Sequence, residues 1–109
     1  MVKKFVTHND VDIAFQSSHL IGYIVVSYSK LVEKFGNPQE VDMYKVDAGW
    51  TVLFENGDYA TIYNYKDGIN YNGEDGCPTK DITNWHIGGS GDNDKIVRII
   101  TNIQQILTS

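Results

Sequence analysis

Trp50-Thr-Val-Leu-Phe-Glu-Asn-Gly-Asp-Tyr-Ala-Thr-Ile-Tyr-Asn-Tyr-Lys66 holds two β-rich runs on either side of Asn56-Gly57. Aromatic and β-branched side chains suit a pleated, half-buried surface, and Asn-Gly tolerates the positive φ angles of a tight type I′ turn. The segment therefore predicts an antiparallel hairpin with strands over about 43–56 and 58–66. A loop made of Asn56 and Gly57 sets Phe54 opposite Tyr59, Val52 opposite Thr61 and Trp50 opposite Tyr63. That register gathers Trp50, Val52, Phe54, Tyr59 and Tyr63 on one face, leaves Thr51, Leu53, Ala60 and Ile62 on the other, and sets Glu55 against Asp58. Both faces are apolar enough to need cover, which a helix on one side supplies.

On the N-terminal side, residues 1–10 mix charge with Phe5 and Val6 and are expected to fray. Val11, Ile13 and Phe15 alternate with Asp12 and Ala14, the period of a half-buried strand. The run from Leu20 to Val26 reads as a buried strand, with Gly22 as a bulge or a point of close approach. Ser27 then caps a short helix over about 28–35 whose Tyr28, Leu31, Val32 and Phe35 share one face; Gly36 and Pro38 end it.

Beyond the hairpin, residues 67–81 carry Gly68, Gly73, Gly76, Pro78 and several carboxylates, and are expected to be mostly loop. Ile82 to Ile87 offers a further strand that ends at Gly88-Gly89. A C-terminal helix over about 92–107 follows. Its stripe is Ile96, Ile99, Ile100, Ile103, Ile106 and Leu107, with Lys95, Arg98, Asn102 and Gln105 off it, and Asp92 and Asp94 complement the dipole in its first turn. The fold class is α+β: an antiparallel sheet with a central hairpin, a short helix and a C-terminal helix, in a single compact domain over 1–109.

Composition narrows the function classes. The 109 residues carry a formal charge of −5, with Lys and Arg scattered, which disfavours direct nucleic-acid binding because that needs a basic stripe to displace counterions. Cys77 is the single cysteine, so no internal disulfide forms, as suits a reducing cytosol. With no leader and no run of membrane-spanning length, the expectation is a cytoplasmic protein without membrane contact. Seven Tyr favour an interface, since a rigid ring gives contact area at low entropic cost.

Several segments together are more specific than any one of them. Gly22-Tyr23-Ile24, Ser27-Tyr28, Leu31-Val32, Phe35-Gly36 and Pro38 precede Lys45-Val46-Asp47-Ala48, Trp50 and Phe54-Glu55-Asn56-Gly57. Ala60-Thr61-Ile62-Tyr63-Asn64-Tyr65-Lys66, Ile82-Thr83 and Trp85-His86-Ile87-Gly88-Gly89 follow. This order, over residues 18 to 89, resembles a group of small proteins encoded by bacteriophages and prophages. The resemblance implies a viral or mobile-element origin and a role against host defence, anti-CRISPR activity being its most concrete form.

Chemistry needs converging groups. His8, His19 and His86 have no metal-ligand spacing with one another or with Cys77, so neither a metal nor another cofactor is expected. Cys77, in a carboxylate-rich loop without a nearby cation, reads as an inert thiol; a nucleophile with His86 as its base requires the fold to join them. Gly88-Gly89-Ser90-Gly91 before a helix has the look of a phosphate cradle but lacks the Lys-Ser/Thr ending of a P-loop, and Asp92 and Asp94 repel an anion. No catalytic residue is expected. Trp85 reads first as core.

The partner-binding candidates are Tyr65, Lys66, Asp67, Tyr71, Glu74, Asp75, Asp81 and His86, a polar-aromatic patch beside an acidic loop that reads first as solvated surface and second as a local imitation of nucleic acid. The expected function is a phage-encoded stoichiometric inhibitor of a host defence protein, most concretely a Cas effector whose nucleic-acid binding or activation it blocks. It is expected to act as a monomer or homodimer. The alternative is a small ligand-binding or enzymatic domain using Tyr65, Lys66 and His86.

Overall fold

The computed structural model describes residues 5–7, 19–43, 46–55, 57–64 and 72–108. Its elements are β1 (Phe5–Thr7), β2 (His19–Val25), α1 (Tyr28–Phe35), β3 (Gln39–Met43), β4 (Val46–Phe54), β5 (Tyr59–Tyr63), β6 (Asn84–Gly89) and α2 (Asn93–Thr108). The strands make one six-stranded antiparallel sheet in the order β1-β4-β5-β6-β2, with β3 also paired to β4. This is the expected α+β arrangement with a C-terminal helix.

The hairpin forms, but one residue out of the expected register. Leu53 faces Tyr59, Val52 faces Ala60, Thr51 faces Thr61 and Trp50 faces Ile62. At the turn, Gly57 N–H donates to the Phe54 carbonyl (3.0 Å) and Phe54 N–H to the Asp58 carbonyl (2.8 Å), with Gly57 at φ 92°. These bonds close a three-residue connection that ends on a left-handed glycine, as three-residue hairpin loops commonly do. Asp58 therefore faces Phe54, not Glu55. A one-residue shift moves every β5 side chain to the other face. Ala60 and Ile62 join Trp50, Val52 and Phe54 in the core, while Tyr59 and Tyr63 lie on the opposite face with Thr51 and Leu53. The apolar pair Ala60/Ile62 fills the helix-covered side and the phenols stay off it, so burial chemistry sets the register.

Other boundaries also move. Phe5–Thr7 is a paired strand, held by Phe5 against Phe35 at 5.3 Å between ring centroids. The stretch 39–43 is a separate strand, so β4 begins at Val46, and β5 ends at Tyr63 rather than at 66. Just past that end, buried Asn64 accepts the Ala48 N–H through Oδ1 (3.1 Å), continuing the ladder with a side chain. Gly88 and Gly89 belong to β6, paired with Leu20 and His19, and do not terminate it. The strand expected over 11–15 lies outside the described residues.

Both helices pack on one face of the sheet. Leu31 and Phe35 of α1 and Ile99, Ile103, Ile106 and Leu107 of α2 close over Trp50, Val52, Phe54, Ala60, Ile62, Trp85 and Ile87. Gly22 is both of the things expected of it: the β2–β6 register slips between Leu20 and Gly22, and a Cβ there would sit 2.9 Å from Ile100 Cδ1 of α2. Asn102, expected off the stripe, is buried. Arg98 forms a bidentate pair with buried Asp58 (Nε to Oδ2 2.7 Å, Nη2 to Oδ1 3.2 Å), which ties the hairpin end to α2. That hydrogen bonding, helped by Asp92 and Asp94, holds the guanidinium above its ordinary pKa.

Two indoles meet edge-on at the centre, Trp50 and Trp85, with centroids 5.3 Å apart. Trp85 Nε1–H donates to the Val26 carbonyl (3.0 Å) and Trp50 Nε1–H to the Gly36 carbonyl (2.8 Å). Val26 and Gly36 bracket α1, so the sheet holds both ends of that helix. Ser27, which accepts the Lys30 N–H, and Gly36 at φ 83° cap it locally. Trp50→Phe and Trp85→Phe each leave a carbonyl without its donor and should cost about 1–3 kcal/mol in urea unfolding, with faster amide exchange within α1. Gly57→Ala meets no atom within 4 Å and should lose only about 1–2 kcal/mol of backbone preference, leaving α1 exchange unchanged. Equal exchange in all three variants would refute the link between the indoles and α1.

Candidate functional site

The sheet face opposite the helices carries a row of rings set by register. Tyr23 of β2 and Tyr63 of β5 both lie directly opposite His86 of β6. The His86 ring sits 5.0 Å from that of Tyr23, edge-on at 82°, and 5.5 Å from that of Tyr63 at 59°. His86 is half-buried between them, whereas Tyr23 is 66% exposed. Val25 at 78% and Leu20 at 42% extend the exposed apolar surface along β2. Clustered exposed apolar and aromatic groups mark interaction surfaces more often than isolated ones do.

The candidates from sequence divide three ways. His86 joins an aromatic patch that includes Tyr63. Glu74 and Asp75 lie on a 3-10 turn over Gly73–Asp75, and Asp81 on another over Thr79–Asp81; all three carboxylates are exposed. Tyr65, Lys66, Asp67 and Tyr71 lie outside the described residues. Trp85 is core, as its first reading held. Cys77 packs against the helix-side core and its thiol reaches the Pro78 carbonyl (3.6 Å), while His86 sits on the other face. The sheet thus separates the nucleophile from its supposed base.

The phosphate-cradle reading also fails on geometry. Gly88 and Gly89 are buried strand residues, and a Cβ on Gly89 would meet Ile21 Cδ1 at 2.9 Å. Asp92 caps α2 by accepting the Lys95 N–H at 2.9 Å, placing a carboxylate where an anion would go. Among the described residues no group of three or more His, Cys, Asp or Glu is arranged to hold a metal, and no helix is long and apolar enough to cross a membrane.

Tyr23, Leu20 and Val25 were absent from the sequence-based candidates, because an apolar run reads as fully buried. The alternation of Tyr23 and Val25 with Gly22 and Ile24 was visible, but Leu20 joins their face only through the bulge before Gly22, and exposure follows from β2 lying at the sheet edge, which no local pattern encodes. Comparison of the chain with protein-family models and with curated proteins gives no match. Tyr23→Ala should change unfolding free energy by no more than about 0.5 kcal/mol, being a surface truncation, so it can report on binding without confounding stability. A larger loss in urea titration would mean that the Tyr23–His86 contact is structural.

Proposed function

We propose that this protein is a stoichiometric inhibitor that binds a host defence protein, most concretely an anti-CRISPR protein that engages a Cas effector and blocks its nucleic-acid binding or activation. The observation that carries this reading is the exposed ring and apolar surface of Tyr23, Val25 and Leu20 backed by His86 and Tyr63. Binding energy in interfaces concentrates in a few aromatic anchors ringed by weaker contacts, and Tyr23 has that character. Glu74, Asp75 and Asp81 supply exposed negative charge that suits a basic, nucleic-acid-binding partner surface. The resemblance to phage and prophage proteins favours a host target in the cytosol.

Binding without chemistry has a kinetic signature. Purified protein titrated into a Cas-effector cleavage assay, at effector concentrations well above the dissociation constant, should inhibit linearly and reach its limit near equimolar. Tyr23→Ala with His86→Ala should weaken inhibition by roughly ten- to a hundredfold, the usual cost of losing an anchor. Inhibition completed at far below equimolar would point to an enzyme, and no inhibition across a panel of effectors would overturn the anti-CRISPR reading.

A further inference from the structure

Beside the ring surface, a groove of about 350 Å³ runs between the end of β2 and the last turns of α2. Tyr23, Ile24, Val25 and Val26 form one wall; Leu107, Gln104 and Thr108 form the other, with Lys30 of α1 at the end. Among the described residues β2 is a terminal strand of the sheet. In an antiparallel ladder, residues alternately bond to the neighbouring strand and point their N–H and C=O away from it. Val26 N–H donates to the Thr83 carbonyl at 2.9 Å, which fixes the phase. Val26 and Ile24 therefore bond toward β6, and Tyr23 and Val25 direct their backbone groups outward along the groove.

Among the described residues, the bulge at Leu20–Gly22 is the one usual protection this edge carries. Strands left at a sheet edge normally carry charge or proline to block pairing, and His19–Val25 has no Asp, Glu, Lys, Arg or Pro. Its neighbour Lys30 is the one charged group among the described lining residues, in a chain of net charge −5. Lys30 lies 3.2 Å from Glu33, with side chains 36% and 61% exposed, an i,i+3 surface pair of the kind that contributes little and exchanges readily.

We infer that the β2 edge is a strand-addition site for an extended peptide segment of the partner. The segment pairs with the outward backbone of Tyr23 and Val25, sets alternate apolar side chains against Leu107 and Ile24, and places a carboxylate at Lys30. A second copy of this chain fits less well, because its own β2 brings no carboxylate to Lys30. The inference rests on the reading of the chain as a protein-binding module and specifies the chemistry of what it binds.

The probe is a random-decapeptide phage library panned on the immobilised full-length protein, with selected peptides then measured by fluorescence anisotropy. Selected sequences should alternate apolar residues and end in Asp, Glu or a free carboxylate. Lys30→Glu should weaken them on the order of tenfold or more, and an acid in the first turn of α1 suits the helix dipole, so the variant folds. N-methylation of alternate peptide amides should abolish binding in one phase and spare it in the other, a test that leaves the protein unaltered. Equal tolerance of both phases, indifference to Lys30→Glu, or no selected peptide overturns the inference. So does sedimentation showing a dimer that Val25→Glu dissolves. Peptides that bind as stated while no effector is inhibited would sink the proposed function alone; inhibition without peptide binding would sink this inference alone.

Discussion

The pair of indoles at the centre governs what the rest of the chain can do. A buried Trp needs a partner for its N–H, and here both partners are carbonyls at the ends of one short helix. An eight-residue helix has little stability of its own, so α1 exists because the sheet holds it at Val26 and Gly36 while Leu31 and Phe35 fill the core. Tyr28 adds to this, its ring 5.9 Å from Trp50 and 6.4 Å from Trp85. Fixing α1 also fixes Lys30 relative to β2, which links the core to the groove.

Placing both helices on one side leaves the two sheet faces chemically different. The helix side takes Trp50, Val52, Ala60, Ile62, Trp85 and Ile87; the other takes Thr51, Tyr59, Thr61, Tyr63 and His86. Hydroxyls and imidazole line the second face because period-two alternation sends every neighbour of a core residue there. Tyr23, His86 and Tyr63 meet across three strands for that reason alone. The ring surface is thus a by-product of core packing that partner binding can exploit.

Much of the fold was legible in the sequence. The Asn56-Gly57 turn, the Ser27 cap, the Gly36 stop and the isoleucine stripe of α2 are local signals, and each marks an observed element. The hairpin register was misread because Asn-Gly suits more than one turn, and only the contest between Ile62 and Tyr63 for the core decides it. β1 was missed because Phe5–Thr7 gains its stability from β4 and Phe35, far away in sequence. The site was less legible still. His86 could be nominated from its neighbours in the chain, but Tyr23 becomes prominent only when the strand order puts β2 at the edge. Asn102 and Arg98 were placed by helical periodicity, which knows nothing of the Asp58 carboxylate that draws Arg98 down.

An uncharged edge strand is costly to keep unless something gains from it. The β2 bulge at Leu20–Gly22 shortens the flat stretch available for pairing, and that limits indiscriminate association. Yet Tyr23 and Val25, just past the bulge, keep large apolar side chains in solvent where a Lys or Glu would do no harm to the core. Nothing in the packing of the described residues requires apolar groups there, because Gly22 and Ile24 are the residues that meet α2 and the core. Large apolar side chains that lie mostly in solvent, with the Tyr23 ring edge-on to His86, next to backbone groups with open geometry and a single neighbouring cation, are best accounted for by what binds from outside. On that argument we place the proposed recognition surface at the edge of β2 rather than at the acidic turns around Glu74 and Asp81.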